Sequence, residues 1–234
     1  MPPVTAAVAR SRVTDVCSQL SHEIRRDFPV GGGWLPPERE LAKKLGVSRT
    51  VIREATKRLE LQGLIEVQHG VGLKVVDRLH APLIGALELL LPEKIERLAQ
   101  LAETRKVVEP ELARQAAERA TAKHLQQFHA AQEKLSAAVE TGDAIDADLE
   151  FHRTIARAAG NQILELLLES LGDLGRESRR ATIATTGKNL AYEHHAQILE
   201  SIERRDGQQA FDLMRKHVDK AGRDLKKHFN GKAS

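Results

Sequence analysis

The stretch from Pro36 to Val75, PPERELAKKLGVSRTVIREATKRLELQGLIEVQHGVGLKV, limits the fold more than any other part of the chain. A proline pair suited to a first helical turn opens a short helix that buries Leu41 and Leu45 and stops at Gly46. Ser48 then offers its hydroxyl as the cap of a second helix, which buries Ile52, Ala55 and Leu59 and runs to about Gln62 before Gly63. Two helices joined by a Gly-Val-Ser turn spell a helix-turn-helix. Ile65 and Val67 next alternate with polar residues, His69-Gly70-Val71-Gly72 turns the chain, and Leu73 and Val75 alternate again, so a two-stranded hairpin is expected. Ahead of the stretch, Val13, Val16, Leu20 and Ile24 recur at helical spacing and predict a helix from about Arg10 to Phe28. A helix-turn-helix with a trailing hairpin is a winged helix.

In that arrangement the third helix lies in the DNA major groove with its first residues on base edges, and Arg49, Thr50 and Arg53 occupy its exposed opening turns. Arginine is the side chain best matched to the two acceptors of guanine. His69 and the small Gly70 at the hairpin tip can approach the neighbouring groove or phosphates. Charge agrees. Residues 1–80 hold 13 Lys and Arg against 9 Asp and Glu, out of 36 and 33 in the whole chain, so the basic excess sits in the N-terminal third.

These residues carry a resemblance. The segment resembles the DNA-binding domain of GntR-family bacterial transcription regulators over residues 10–77, and its His-Gly wing is similar to that of the FadR subfamily. The resemblance implies contacts to double-stranded DNA from Arg39 in PPERE, from Ser48, Arg49, Thr50 and Arg53 in SRTVIRE, and from His69 with Gly70 at the wing tip. Two departures stand out: Thr56 occupies a position where the family usually has leucine, and the loop before Leu35 carries the bulky Trp34. Neither is expected to touch the contacts.

A polar stretch at 78–82 is expected to be a linker. From 83 to 229 apolar residues recur at helical spacing with no convincing two-residue alternation, which predicts seven helices, roughly 83–91, 93–119, 121–140, 143–159, 161–184, 188–205 and 207–229. The fold class is therefore mainly α: an N-terminal winged helix-turn-helix followed by an all-α bundle. Within the bundle, Asp148 and His152 in DADLEFHRT lie four apart, on one side of a helix, as two ligands of one ion must. His195 in the next-to-last helix and His217 in the last can converge on them. One carboxylate and three neutral imidazoles suit zinc, nickel, cobalt or manganese and leave positions open on the ion.

The bundle resembles the FCD domain, a helical effector-binding domain, over nearly all of 83–229. Its metal-binding branch has an Asp-x3-His helix, a His followed three residues later by Ile, and a late His; here these are Asp148 and His152, His195 with Ile198, and His217 in LMRKHV. The adjacent His194 is expected to face solvent or to stand behind the ligands. Arg105 in ETRKVVEP matches an arginine that faces the cavity in many relatives, and a guanidinium beside a metal implies a small organic acid as effector. Asn161 is expected to be a helix cap.

The expected function is a ligand-responsive transcription regulator, a repressor, acting as a homodimer on a palindromic operator, with no enzymatic activity. The metal is regulatory or structural on this reading. Two rivals from other classes are a metal-dependent hydrolase fused to a DNA-binding domain and an architectural DNA-binding protein without ligand response. The single cysteine, Cys17, the lack of any apolar run long enough to span a bilayer and the lack of a signal-peptide core point to the cytoplasm and away from membranes.

Overall fold

A computed structural model describes the backbone of residues 4–28, 31–68, 70–91 and 93–230. The chain divides between Ala86 and Leu87 into two compact units.

In the first unit the order is α1 (Val4–Asp27), β1 (Trp34–Leu35), α2 (Glu38–Leu45), α3 (Arg49–Leu61), β2 (Ile65–Gln68) and β3 (Gly72–Val75). Helix α1 starts at Val4 instead of near Arg10. The hairpin pairs Ile65 with Val75 and Val67 with Leu73. A third strand joins it, giving the order β1-β3-β2, because Trp34 and Leu35 pair with Lys74 and Leu73 along the free edge of β3. The sequence reading expected two strands; β1 is too short to show periodicity. Trp34 packs over Gly72, where an added Cβ would stand 3.4 Å from its ring. Val13, Val16, Leu20 and Ile24 of α1 meet Ile52, Ala55 and Leu59 of α3 in one core, closed by Leu41, Ile65, Leu73 and Val75. Leu45 and Val67, also expected inside, are half-buried. Gly63 follows the C-cap of α3 with φ +76°, and a Cβ there would stand 2.0 Å from the Arg78 carbonyl oxygen. Arg78 N–H in turn donates to Gly63 O at 2.9 Å, so the chain leaving the wing is tied to the helix end.

Helix α4 (Ala81–Leu90) lies across the division. The second unit continues with α5 (Lys94–Arg119), α6 (Ala122–Ala137), α7 (Thr141–Ala159), α8 (Gln162–Ser170), α9 (Gly172–Thr186), α10 (Lys188–Glu203) and α11 (Gly207–Asn230). The single helix expected over 161–184 is two helices. Leu171 takes φ −92° and ψ 5°, and Gly172, a weak helix former, follows it. Asn161 caps α8, its Oδ1 accepting from Leu164 N–H at 3.2 Å, as expected. The core packs α5, α7 and α11 together around Leu112, Phe151, Ile155, Met214 and Val218, with Phe128 of α6 and Ile198 and Ile202 of α10 against them.

Three cations close helix ends from a distance. Arg119 donates to Ala159 O at 2.6 Å, and Lys188 to Ser136 O at 2.6 Å and to Ala138 O. Arg205, held at φ +60°, donates to Ala117 O at 3.1 Å and Ala120 O at 2.7 Å. Each satisfies carbonyls that a helix C-terminus leaves without partners. Among the described residues no helix is long and apolar enough to cross a membrane.

Candidate metal centre and nucleic-acid interface

In the first unit, Ser48 adopts an extended backbone and its Oγ accepts from Val51 N–H at 3.3 Å, capping α3. No acidic residue stands in the first turn of α3, so the positive end of its dipole is left for an outside anion. Arg49, Thr50 and Arg53 lie exposed on the opening turns, and Arg39 is exposed on α2. Gly70 sits at the exposed tip between β2 and β3 with φ +77°, which a side chain would strain. His69 lies outside the described residues. Thr56 proves less remote than expected. It is buried, donates to Arg53 O at 3.0 Å and stands 3.5 Å from Glu38 Oε1, while Glu38 Oε2 lies 3.7 Å from Arg53 Nε. A leucine there would leave Glu38 without that hydroxyl.

In the second unit, α7 supplies Asp148 and His152, α10 His195 and α11 His217. All four side chains are buried, and one donor atom from each lies within 4.8 Å of the others. His217 Nε2 is 3.2 Å from His152 Nε2; Asp148 Oδ1 is 3.4 Å from His195 Nε2, and its Oδ2 is 3.7 Å from His152 Nε2. Donors around an ion at about 2.0–2.1 Å are separated by about 3 to 4 Å, so the separations of 3.2, 3.4 and 3.7 Å suit one cation, and the remaining pairs, within 4.8 Å, need only a small closure of side chains. Neither ring nitrogen of His195 has a hydrogen-bond partner, although the ring is fully buried. Such an orphaned donor set is what a metal satisfies. Phe151 stacks on the His195 ring, centroids 4.1 Å apart and planes 3° from parallel, which fixes its orientation.

The electrostatics hold the ligands in their binding forms. Burial pushes the His195 imidazole down to about 3 and His217 well below its ordinary value, so both are neutral with free lone pairs. Burial opposes ionisation of Asp148, but the Arg179 guanidinium overrides it and holds its carboxyl well below the usual range.

Of the residues behind the ligands, the sequence reading singled out Arg105 and His194 but neither Glu109 nor Arg179. Arg105 is buried and its Nε and Nη2 reach Glu109 at 2.6 and 3.3 Å; the second Glu109 oxygen lies 2.8 Å from His152 Nδ1. Burial would raise the Glu109 carboxyl, and Arg105, followed by His152, overrides it and keeps it well below the ordinary range. Arg179 of α9 pairs with Asp148. His194 is half-buried with Nδ1 3.3 Å from His217 Nδ1, so it stands behind that ligand. Two small cavities, about 40 and 30 Å³, flank the cluster. Arg105 and Arg179 line both; His217 and Lys220 line the larger, and Glu109 and His152 the smaller. The spacing of Arg105 and Glu109, four apart on one helix, was a signal available in the sequence. Arg179 gave none, because its place depends on the break at Leu171.

A winged helix-turn-helix with a polar, cavity-bearing helical bundle defines a ligand-modulated DNA-binding transcription regulator. Residues 13–75 match the bacterial regulatory proteins of the gntR family and residues 100–220 the FCD domain, and the chain belongs to the GntR family with a C-terminal FCD domain. It is 29% identical over 223 residues to the Uxu operon regulator of Haemophilus influenzae, covering 88% of this chain and 79% of that one. It is also 29% identical to the HTH-type transcriptional repressor NanR of Cronobacter sakazakii, covering 91% and 85%. Among solved structures, Streptococcus agalactiae GntR superposes with a TM-score of 0.74 at 28% identity over 90% of this chain and 99% of that chain.

Proposed function

We propose that the protein is a non-enzymatic repressor of the cytoplasm that binds a palindromic double-stranded operator as a homodimer and is controlled by a small organic acid at a metal site. Residues 10–77 form the DNA-binding domain, 78–82 the linker and 83–229 the effector-binding and dimerisation domain. Asp148, His152, His195 and His217 hold a divalent transition metal, zinc first, with nickel, cobalt or manganese as alternatives. Bound there, the metal supplies a Lewis-acid centre for the oxygen atoms of an acid. Arg105 offers a guanidinium beside it. Arg39, Ser48, Arg49, Thr50, Arg53, His69 and Gly70 contact DNA.

The observation that carries the reading is the meeting of four buried donors from three helices, with neither nitrogen of His195 in a hydrogen bond. The names of the relatives support repression, since NanR is described as a transcriptional repressor. An acid that binds one bundle arrangement better than another shifts the DNA heads only by that difference, and a 100-fold change in operator affinity needs about 2.7 kcal/mol. The test is elemental analysis of the full chain purified without a His-tag or chelator, beside a His152→Ala/His217→Ala variant. Near-stoichiometric metal in the parent and none in the variant is expected; metal in neither, after divalent ions are added back, refutes the site.

A further inference from the structure

Two guanidiniums, on α5 and α9, face the tetrad from opposite partners. Arg105 spends Nε and Nη2 on Glu109, and Arg179 spends Nε on Asp148 and Nη1 on Gly175 O, the latter at 3.3 Å. Gly175 makes room for this placement, since a Cβ there would stand 3.1 Å from Arg179 Nη1. Arg105 Nη1 and Arg179 Nη2 are not engaged by these bonds, and both side chains line both cavities.

The charges count out simply. Arg105 and Arg179 are balanced by Glu109 and Asp148, at the larger cavity Lys220 is balanced by Asp224 at 2.5 Å, and at the smaller one the half-buried Arg153 adds a further positive charge. Imidazoles that ligate a metal are neutral and add no charge. A divalent cation held by the tetrad then adds two positive charges that no side chain of the cluster offsets. Uncompensated charge in a buried place is costly, so a guest that brings two negative charges is favoured over one that brings a single charge. The small cavities keep that guest to a few heavy atoms.

We propose that Arg179 is a specificity-determining residue of the effector site and that, with Arg105, it makes the site select a small dianion over a monoanion of the same shape. The proposal rests on the metal-and-effector reading above. The shared chemistry is a doubly charged oxyanion, whether a short dicarboxylate or a phosphate.

The test is calorimetric titration at about pH 8 of the zinc-loaded full chain with malonate against malonamate, and with inorganic phosphate against methanesulfonate, a tetrahedral monoanion of the same size, zinc content being measured in each sample. One added charge-assisted hydrogen bond corresponds to an affinity ratio of about 10- to 100-fold, so at least one dianion should exceed its singly charged counterpart by that factor. Malonate alone or phosphate alone showing the preference supports the proposal and names the source. The preference should vanish in chelator-stripped protein and in Arg179→Gln, and persist in weaker form in Arg179→Lys. If Arg179→Gln sheds its zinc, Arg179→Lys and the parent decide the matter. Equal binding of each pair by zinc-loaded parent overturns this proposal alone and leaves the metal-and-effector reading standing. A full preference in zinc-loaded Arg179→Gln removes Arg179 from the role. A parent that takes up no zinc overturns both.

Discussion

Replacing Glu109 by glutamine removes one negative charge that holds Arg105 and His152 at once. Glu109 is 3% exposed, receives Arg105 Nε at 2.6 Å and faces His152 Nδ1 at 2.8 Å. In Glu109→Gln the Arg105 guanidinium stays buried near Arg179 without its counter-charge, and breaking one partner of a buried pair costs about 3–5 kcal/mol. At about 2–4 °C per kcal/mol for a unit of this size, the helical domain should melt about 6–20 °C lower. Zinc affinity should fall about 10- to 100-fold, because His152 loses the carboxylate behind its second nitrogen. The double variant Arg105→Met/Glu109→Leu separates the two effects. It removes both buried charges, so stability should return toward the parent, while His152 still lacks its carboxylate and zinc affinity stays low. Scanning calorimetry reads the first quantity and competition with a chromophoric chelator the second. A Glu109→Gln protein that melts with the parent and holds zinc as tightly refutes the reasoning.

Three further outcomes can be checked directly. Gly63→Ala places a side chain at φ +76° and a Cβ 2.0 Å from Arg78 O, so the left-handed backbone alone should cost about 1–3 kcal/mol, and an unshifted urea midpoint counts against it. Arg49→Ala should cost about 1–3 kcal/mol of operator binding and relax base preference at one position in each half-site; selection of an unchanged site from a random pool removes the residue from base reading. Burial raises the Cys17 thiol above its ordinary value and its Sγ donates to Ala55 O at 3.6 Å, so iodoacetamide at pH 8 should label it only in denaturant. Rapid labelling of the native protein contradicts that placement.

Much of this architecture was legible because local signals agreed. In the first unit the cap at Ser48, the stop at Gly63 and the two-residue alternation on either side of Gly70 all describe the same winged helix. What escaped there, strand β1, is two residues long and is defined by a partner far along the chain. In the bundle, Asp148 and His152 were readable as a pair because a helix fixes their spacing. The approach of His195 and His217 is a packing fact that the resemblance supplied. Glu109 and Arg179 escaped for different reasons. Glu109 looked like one more charged residue on a charged helix, and its burial depends on neighbours that the helical period does not name. Arg179 reaches Asp148 only because the chain breaks at Leu171, where a run of apolar residues suggested an unbroken helix.

Arg119, Lys188 and Arg205 each close the end of a helix laid down far away in the chain, at separations of 40, 50 to 52 and 85 to 88 residues. Chain entropy must be overcome before such ties reward folding, so they form after the helices have docked. Contacts made after the rate-limiting step slow unfolding and leave folding unhurried. On that order of events Arg205→Ala should shorten the lifetime of the folded bundle while refolding proceeds at the parent's rate, and slowed refolding would place the tie before the barrier.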